Sequence, residues 1–217
     1  MISQGSKELL WMAMTPALKV SHLLASLHFR NARGLCLQLG AGGRPLAGFI
    51  NVDINPTRHP DVWLDIRGGL PFPEASASFI YTSHTLEHLQ LDRVMRVLGE
   101  CHRVLCPQGT LRIAVPNLRK AISNYHLGDE KWFGSWPRNF KSLGGRFVNY
   151  AFCEAQHKCA FDHAFLDELL SSCGFPPSTE LEPGKSLDPA HYLPRVAEFE
   201  RSHLDDRSLL VEVQKGA

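Results

Sequence analysis

The stretch Leu35-Cys36-Leu37-Gln38-Leu39-Gly40-Ala41-Gly42-Gly43, followed by Phe49-Ile50-Asn51-Val52-Asp53, decides the fold. An apolar run of strand length breaks into glycines, and a second apolar run ends in an acid. Glycine lets a backbone turn tightly and approach a ligand closely. A carboxylate that closes the next strand can accept hydrogen bonds from ribose hydroxyls. This is how a nucleotide-binding α/β domain opens.

The pattern continues outward in both directions. Val62–Leu64 reads as a short third strand and Phe79–Thr82 as a buried fourth. A helix follows from Leu89 to Leu105, with Leu91, Val94, Leu98, Cys101 and Leu105 recurring at helical spacing. Cys106-Pro107-Gln108-Gly109 stops it, and Leu111–Val115 is the next strand. Phe165–Cys173 reads as a helix closed by Gly174, with Asp162 as its N-cap, and Leu209–Val213 as a last strand. Strands alternating with helices predict a doubly wound, mostly parallel α/β sheet of about seven strands with an antiparallel last strand. Upstream, Ser6 to Phe29 reads as helix, broken or restarted at Pro16. Its stripe of Leu18, Leu23, Leu24 and Leu27 is expected to pack on the sheet.

The whole chain, 1–217, reads as one domain. Residues 1–33 form an N-terminal helical cap, and 124–162 an aromatic-rich insert expected to line an acceptor pocket or lid. Lys plus Arg is 23 and Asp plus Glu is 22, so a net charge of +1 offers no electrostatic case for nucleic acid. The six cysteines have no CxxC pair, which suits reduced thiols in a cytoplasmic protein. No apolar run is long enough to span a bilayer, and the N-terminus lacks the pattern of a signal peptide.

Three ligand classes use a glycine turn after the first strand. A phosphate-binding loop needs Lys and Ser or Thr after its last glycine, and none follows Gly43. A dinucleotide fingerprint wants a small residue opening a helix where Pro45 sits. The third class gathers support along the chain. Gln38-Leu39-Gly40-Ala41-Gly42, Asp53, Asp65-Ile66 with Leu70-Pro71-Phe72, Phe79-Ile80-Tyr81-Thr82-Ser83-His84, and Arg103-Val104-Leu105-Cys106-Pro107-Gln108-Gly109 stand in the order of class I S-adenosylmethionine-dependent methyltransferase motifs. The chain resembles small bacterial methyltransferase-like proteins of undefined substrate. The resemblance implies S-adenosylmethionine held by Gly40, Ala41, Gly42, Asp53, Asp65, Ile66 and Ser83. It implies methyl transfer to an oxygen or nitrogen of a small molecule or glycan, with His84 and His157 as catalytic candidates.

Two features stand apart. Only about nine residues separate the first two strands, whereas a parallel crossover usually takes a dozen or more, so the usual helix must shrink to one turn or vanish. And Ser83-His84-Thr85-Leu86-Glu87-His88 contains His-x-x-Glu-His, an inverted zinc-protease signature if helical. A zinc-dependent hydrolase built on His84, Glu87 and His88 is therefore the alternative reading, beside a non-catalytic module that only binds S-adenosylmethionine. The Glu87-His88 pair also resembles a divalent-metal pair of some O-methyltransferases, but His84 replaces their first glutamate. No metal is expected on that ground, and Glu87 and His88 are the pair that would hold one.

Overall fold

The computed structural model describes residues 4–187 and 194–216. Its centre is a seven-stranded sheet of order β3-β2-β1-β4-β5-β7-β6. The strands are β1 (Leu35–Leu39), β2 (Ile50–Asp53), β3 (Val62–Trp63), β4 (Ala77–Ser83), β5 (Leu105–Pro116), β6 (Thr179–Leu181) and β7 (Ser208–Gln214). β1 through β5 pair in parallel, and β7 runs antiparallel to both β5 and β6. Strand order reverses between β1 and β4, so a crevice opens beyond their carboxyl ends, where ligands of open α/β sheets bind. Near-continuous apolar strands supply the core: Leu37, Leu39, Val52, Ile80, Leu111, Ile113 and Val211 are all fully buried.

Among the described residues, six α-helices surround the sheet: α1 (Gln4–Phe29), α2 (Leu91–Val104), α3 (Leu118–Leu127), α4 (Leu143–Phe152), α5 (His163–Ser172) and α6 (Pro194–His203). The periodic face read for α2 is the buried one, through Val94, Leu98 and Cys101, while Leu91 at its start is exposed. Asp162 caps α5 by accepting from the Phe165 amide. The Cys106–Gly109 stop ends α2 as read, but the ladder runs through it. Ala77 pairs Leu105 and Phe79 pairs Thr110, which makes the turn a bulge within β5.

Helix α1 departs from the sequence reading twice. It continues through Pro16 without a break. Pro16 faces solvent, so water can satisfy the carbonyl that its missing N–H leaves unpaired. The stripe read as the packing face is also wrong beyond Leu18. Leu23, Leu24 and Leu27 are more than half exposed, while Leu18 and Ala25 are buried and Ser21 donates to the Trp63 carbonyl. The short β3 edge offers room for one narrow row of small side chains, and that row sits beside the leucines. The first three residues of the expected cap lie outside the described residues.

The insert is more regular than its composition suggested, because α4 and the end of α3 fall within it. Trp132, Phe133, Phe147 and Tyr150 pack edge to face into a small satellite cluster. Trp132 donates to Asp206 and Trp136 lies exposed, while Phe133 at the centre of the cluster is buried.

On the far side of the sheet, Arg112 of β5 is fully buried between Glu200 of α6 and Glu212 of β7, at 2.6 and 2.5 Å. Arg112 also donates to the Lys185 carbonyl, and Glu212 accepts from Ser186 and the Leu187 amide. This network ties the 182–187 loop and α6 to the sheet. All six cysteines are free thiols. Among the described residues, no helix is long and apolar enough to cross a membrane.

Candidate functional site

The β1–β2 crossover contains no helix. Two buried polar side chains inside apolar strands do the work a helix would do. Gln38 accepts from the Leu46 amide and donates to the Arg44 carbonyl. Asn51 accepts from the same Leu46 amide and donates to the Leu46 and Phe49 carbonyls. Backbone groups that a helix would satisfy internally are thus satisfied by amides reaching up from β1 and β2. The result is a short loop that packs Leu46 and Phe49 against Phe79 and Tyr81 of β4 where a helix would otherwise lie.

In that turn Gly40 and Gly42 both have positive φ, 71° and 56°. A Cβ on Gly40 would lie 2.2 Å from Thr85 Oγ1, so only glycine fits there. Gly40 and Ala41 donate to the Val52 carbonyl, which locks the turn to β2. Asp53 at the end of β2 accepts from the Gly42 amide and the Asn55 amide, each at 2.7 Å. Each of its oxygens keeps a second lone pair, and the residue is half-buried, so it can still accept from a diol. The competing role of helix cap near Pro56 belongs to Asn55. The residues present therefore fit a nucleoside with a ribose: a tight turn with glycine at both positive-φ positions, and an oriented, half-buried carboxylate.

Asp65 has other duties. It accepts from the Arg67 amide as the cap of a single 3-10 turn, and both of its oxygens pair with the Arg67 guanidinium. Any adenine contact there falls to the backbone around Ile66, whose side chain is buried. A cleft of about 310 Å³ between α1 and this turn is lined by Thr15, Leu18, His22, Leu64, Asp65 and neighbours. It shares Asp65 with the adenine-side loop and none of the glycine-turn residues.

β4 ends at Ser83, which is half-buried and whose carbonyl accepts from Thr85 Oγ1. His84 follows with φ 49°, a conformation that costs a non-glycine residue roughly 1–2 kcal/mol. Its amide donates to the Ala114 carbonyl. Its ring lies 3.2 Å from Glu87 Oε1 through Nδ1 and 3.2 Å from Ser208 Oγ through Nε2. The side chain is 44% exposed. Leu86–His88 is one 3-10 turn. The α-helix that His-x-x-Glu-His needs in a zinc hydrolase is therefore absent, and His84 stands outside the metal-capable group described next.

That group is Glu87, His88 and His157, one donor atom of each lying within 4.8 Å of the others. The Glu87 carbonyl accepts from the Lys158 and Cys159 amides, and Cys159 Sγ bonds the Leu89 carbonyl. This docking brings His157 from the end of the insert onto the 3-10 turn. The chain reaches it through three consecutive residues in the left-handed region, Cys153, Glu154 and Ala155. Burial holds the His157 imidazole below its ordinary value, against the pull of Glu87. Glu154 pairs with Arg138 and is not part of the group.

Sequence reasoning missed Gln38, Asn51, Thr85 and Ser208. The signal for the first two was visible: a polar amide inside each of two apolar strands. Thr85 and Ser208 act through space and left no local mark.

Residues 50–113 match a family model described as a methyltransferase domain. The match takes in Asp53, Asp65 and the His84–His88 segment, and begins after the glycine turn. No curated protein sequence matches the chain. Solved structures share the fold at low identity. A SAM-dependent methyltransferase from Archaeoglobus fulgidus aligns at 15% identity and TM-score 0.50, covering 97% of this chain and 95% of that one. A possible histamine N-methyltransferase from Thermotoga maritima aligns at 16% and 0.51, covering 98% and 96%. Phosphoethanolamine N-methyltransferase 2 of Haemonchus contortus, solved with S-adenosyl-L-methionine, aligns at 12% and 0.51, covering 90% of this chain and 52% of that one. The match covers less than a third of the chain, and the solved structures share its fold: a Rossmann-like α/β sheet of the kind found in S-adenosylmethionine-dependent methyltransferases.

Proposed function

We propose that this chain is an S-adenosylmethionine-dependent methyltransferase that acts on an oxygen or nitrogen of a small molecule or glycan, at the crevice beyond β1 and β4. The observation that carries the reading is His84, held half-exposed at the end of β4 beside the Gly40–Thr85 contact, with both ring nitrogens oriented. S-adenosylmethionine supplies a methyl group on a sulfonium that leaves readily. The chain's own part is to hold donor and acceptor in line. Asp53 takes the ribose diol, and the Gly40–Gly42 turn takes the amino-acid end. Hydrogen bonding to Glu87 sets the His84 tautomer with the proton on Nδ1, which leaves the Nε2 lone pair, now facing Ser208, to accept a proton. A net charge of +1 supports a small acceptor over nucleic acid.

The test is transfer of labelled methyl groups to a panel of small hydroxyl and amine compounds and oligosaccharides. His84→Gln should lower kcat by roughly 10²–10⁴-fold, the usual worth of a general base, with S-adenosylmethionine affinity unchanged. Label appearing only in nucleic acid or protein, or an unaffected kcat, would overturn the reading.

A further inference from the structure

Glu87 is the group the site leaves unexplained. It is 1% exposed, its Oε1 faces His84, and its Oε2 is buried with no hydrogen-bond partner. Leaving a buried carboxylate oxygen without a partner is costly, because the desolvation of that group goes uncompensated. Two imidazoles stand against it, with ring centroids 5.1 Å apart. The Gln156 carbonyl engages Nδ1 of His88 and the Ala151 carbonyl engages Nδ1 of His157. Both rings are thereby fixed in the tautomer that leaves Nε2 as a free donor of electrons, the arrangement seen for metal-binding histidines.

We infer that Glu87, His88 and His157 form a binding site for a first-row divalent cation, and that the cation selects an acceptor hydroxyl over an amine. This rests on the methyltransferase reading given above. One carboxylate with two imidazoles is a donor set for Mn²⁺, Fe²⁺, Co²⁺ or Zn²⁺, with positions left open for an exogenous ligand. Donors lying within 4.8 Å must draw slightly closer, since ligand distances of about 2.1 Å limit any pair to about 4.2 Å. A small shift of His88, the exposed member of the group, supplies that.

The preference for oxygen follows from lone pairs. An amine that binds a cation commits its only lone pair and can no longer attack a methyl group. A hydroxyl oxygen keeps a second pair, and the cation makes its proton more acidic. In the step, the acceptor O–H bond breaks and its proton passes to His84. An oxygen lone pair forms the new O–CH₃ bond, and the C–S bond breaks with its electron pair returning to sulfur. The products are the methyl ether and S-adenosylhomocysteine.

The experiment titrates Mn²⁺ into the chelator-stripped full chain, read by calorimetry and by Mn²⁺ electron paramagnetic resonance. One Mn²⁺ per chain is expected, with affinity falling about 10–100-fold or more in Glu87→Gln and His157→Gln. S-adenosylmethionine affinity in the same variants serves as the fold check and should not move. In the unmodified chain, Mn²⁺ should broaden the His88 and His157 ring signals by NMR, which needs no variant. Absence of Mn²⁺ and Zn²⁺ binding up to millimolar concentration, or binding that survives both substitutions, would overturn the site even where S-adenosylmethionine binds. Turnover of a hydroxyl acceptor should stop with chelator and return with Mn²⁺; turnover of an amine that needs Mn²⁺ would overturn the preference.

Discussion

Gly40→Ala probes the contact on which the glycine turn depends. The added Cβ would stand 2.2 Å from Thr85 Oγ1, 2.6 Å from its Cγ2 and 2.9 Å from its Cβ. All three distances lie inside van der Waals contact, and the nearest atoms belong to a β-branched side chain with little freedom at χ1. Thr85 Oγ1 is also bonded to the Ser83 carbonyl, so rotating away breaks that bond. Overpacking of this kind costs about 1–3 kcal/mol. The φ of 71° adds about 1–2 kcal/mol for any residue with a Cβ. The substitution should therefore destabilise the chain by about 2–5 kcal/mol in urea unfolding, and weaken S-adenosylmethionine because the turn must shift. Thr85→Gly in the same chain removes the collision but not the φ strain. The double variant should recover the packing share, about 1–3 kcal/mol, and the two sites should be strongly non-additive. Additive effects, or an alanine variant as stable as the parent, would refute the contact as the reason for glycine.

Two further predictions concern stability. Arg112→Met leaves Glu200 and Glu212 buried without their shared cation and should cost about 3–5 kcal/mol; a loss below about 1 kcal/mol would contradict the network. Hydrogen bonding to Arg103 holds the Glu100 carboxyl below its ordinary value of 4.5, so its contribution is present above that value and fades as pH falls through the folded one. Glu100→Gln should thus be most destabilising near neutral pH and converge with the parent below pH 4.5, a difference in urea midpoints that a constant offset would rule out.

Much of the fold was legible because buried parallel strands carry dense apolar runs. β1 to β4 and β7 were each found within two residues, and β5 from Leu111 onward, six residues after its start. α3, β6 and α6 were not, since α3 opens a region read as irregular and α6 has few apolar positions. α1 was found but turned the wrong way round, because periodicity reports an apolar stripe and not what covers it. Gly40, Asp53 and His84 lie at the strand ends where the sequence put them. For Asp65, nothing local shows that Arg67, two residues on, pairs with its carboxylate. His157 joined Glu87 and His88 only through the docking of residues 158 and 159, which is a tertiary event. The metal-capable group therefore had two of its three members visible in sequence, and the third gave it meaning.

The account stands or falls on the open carboxylate of Asp53 beside the Gly40–Gly42 turn. Calorimetric titration of the full chain with S-adenosylmethionine and with S-adenosylhomocysteine tests it directly. One ligand per chain should bind, and Asp53→Ala should weaken it about 10–100-fold, from the loss of charge-assisted bonds worth about 1.5–3 kcal/mol. Failure of the parent chain to bind either ligand at millimolar concentration, or an Asp53→Ala variant that binds as tightly as the parent, would contradict it.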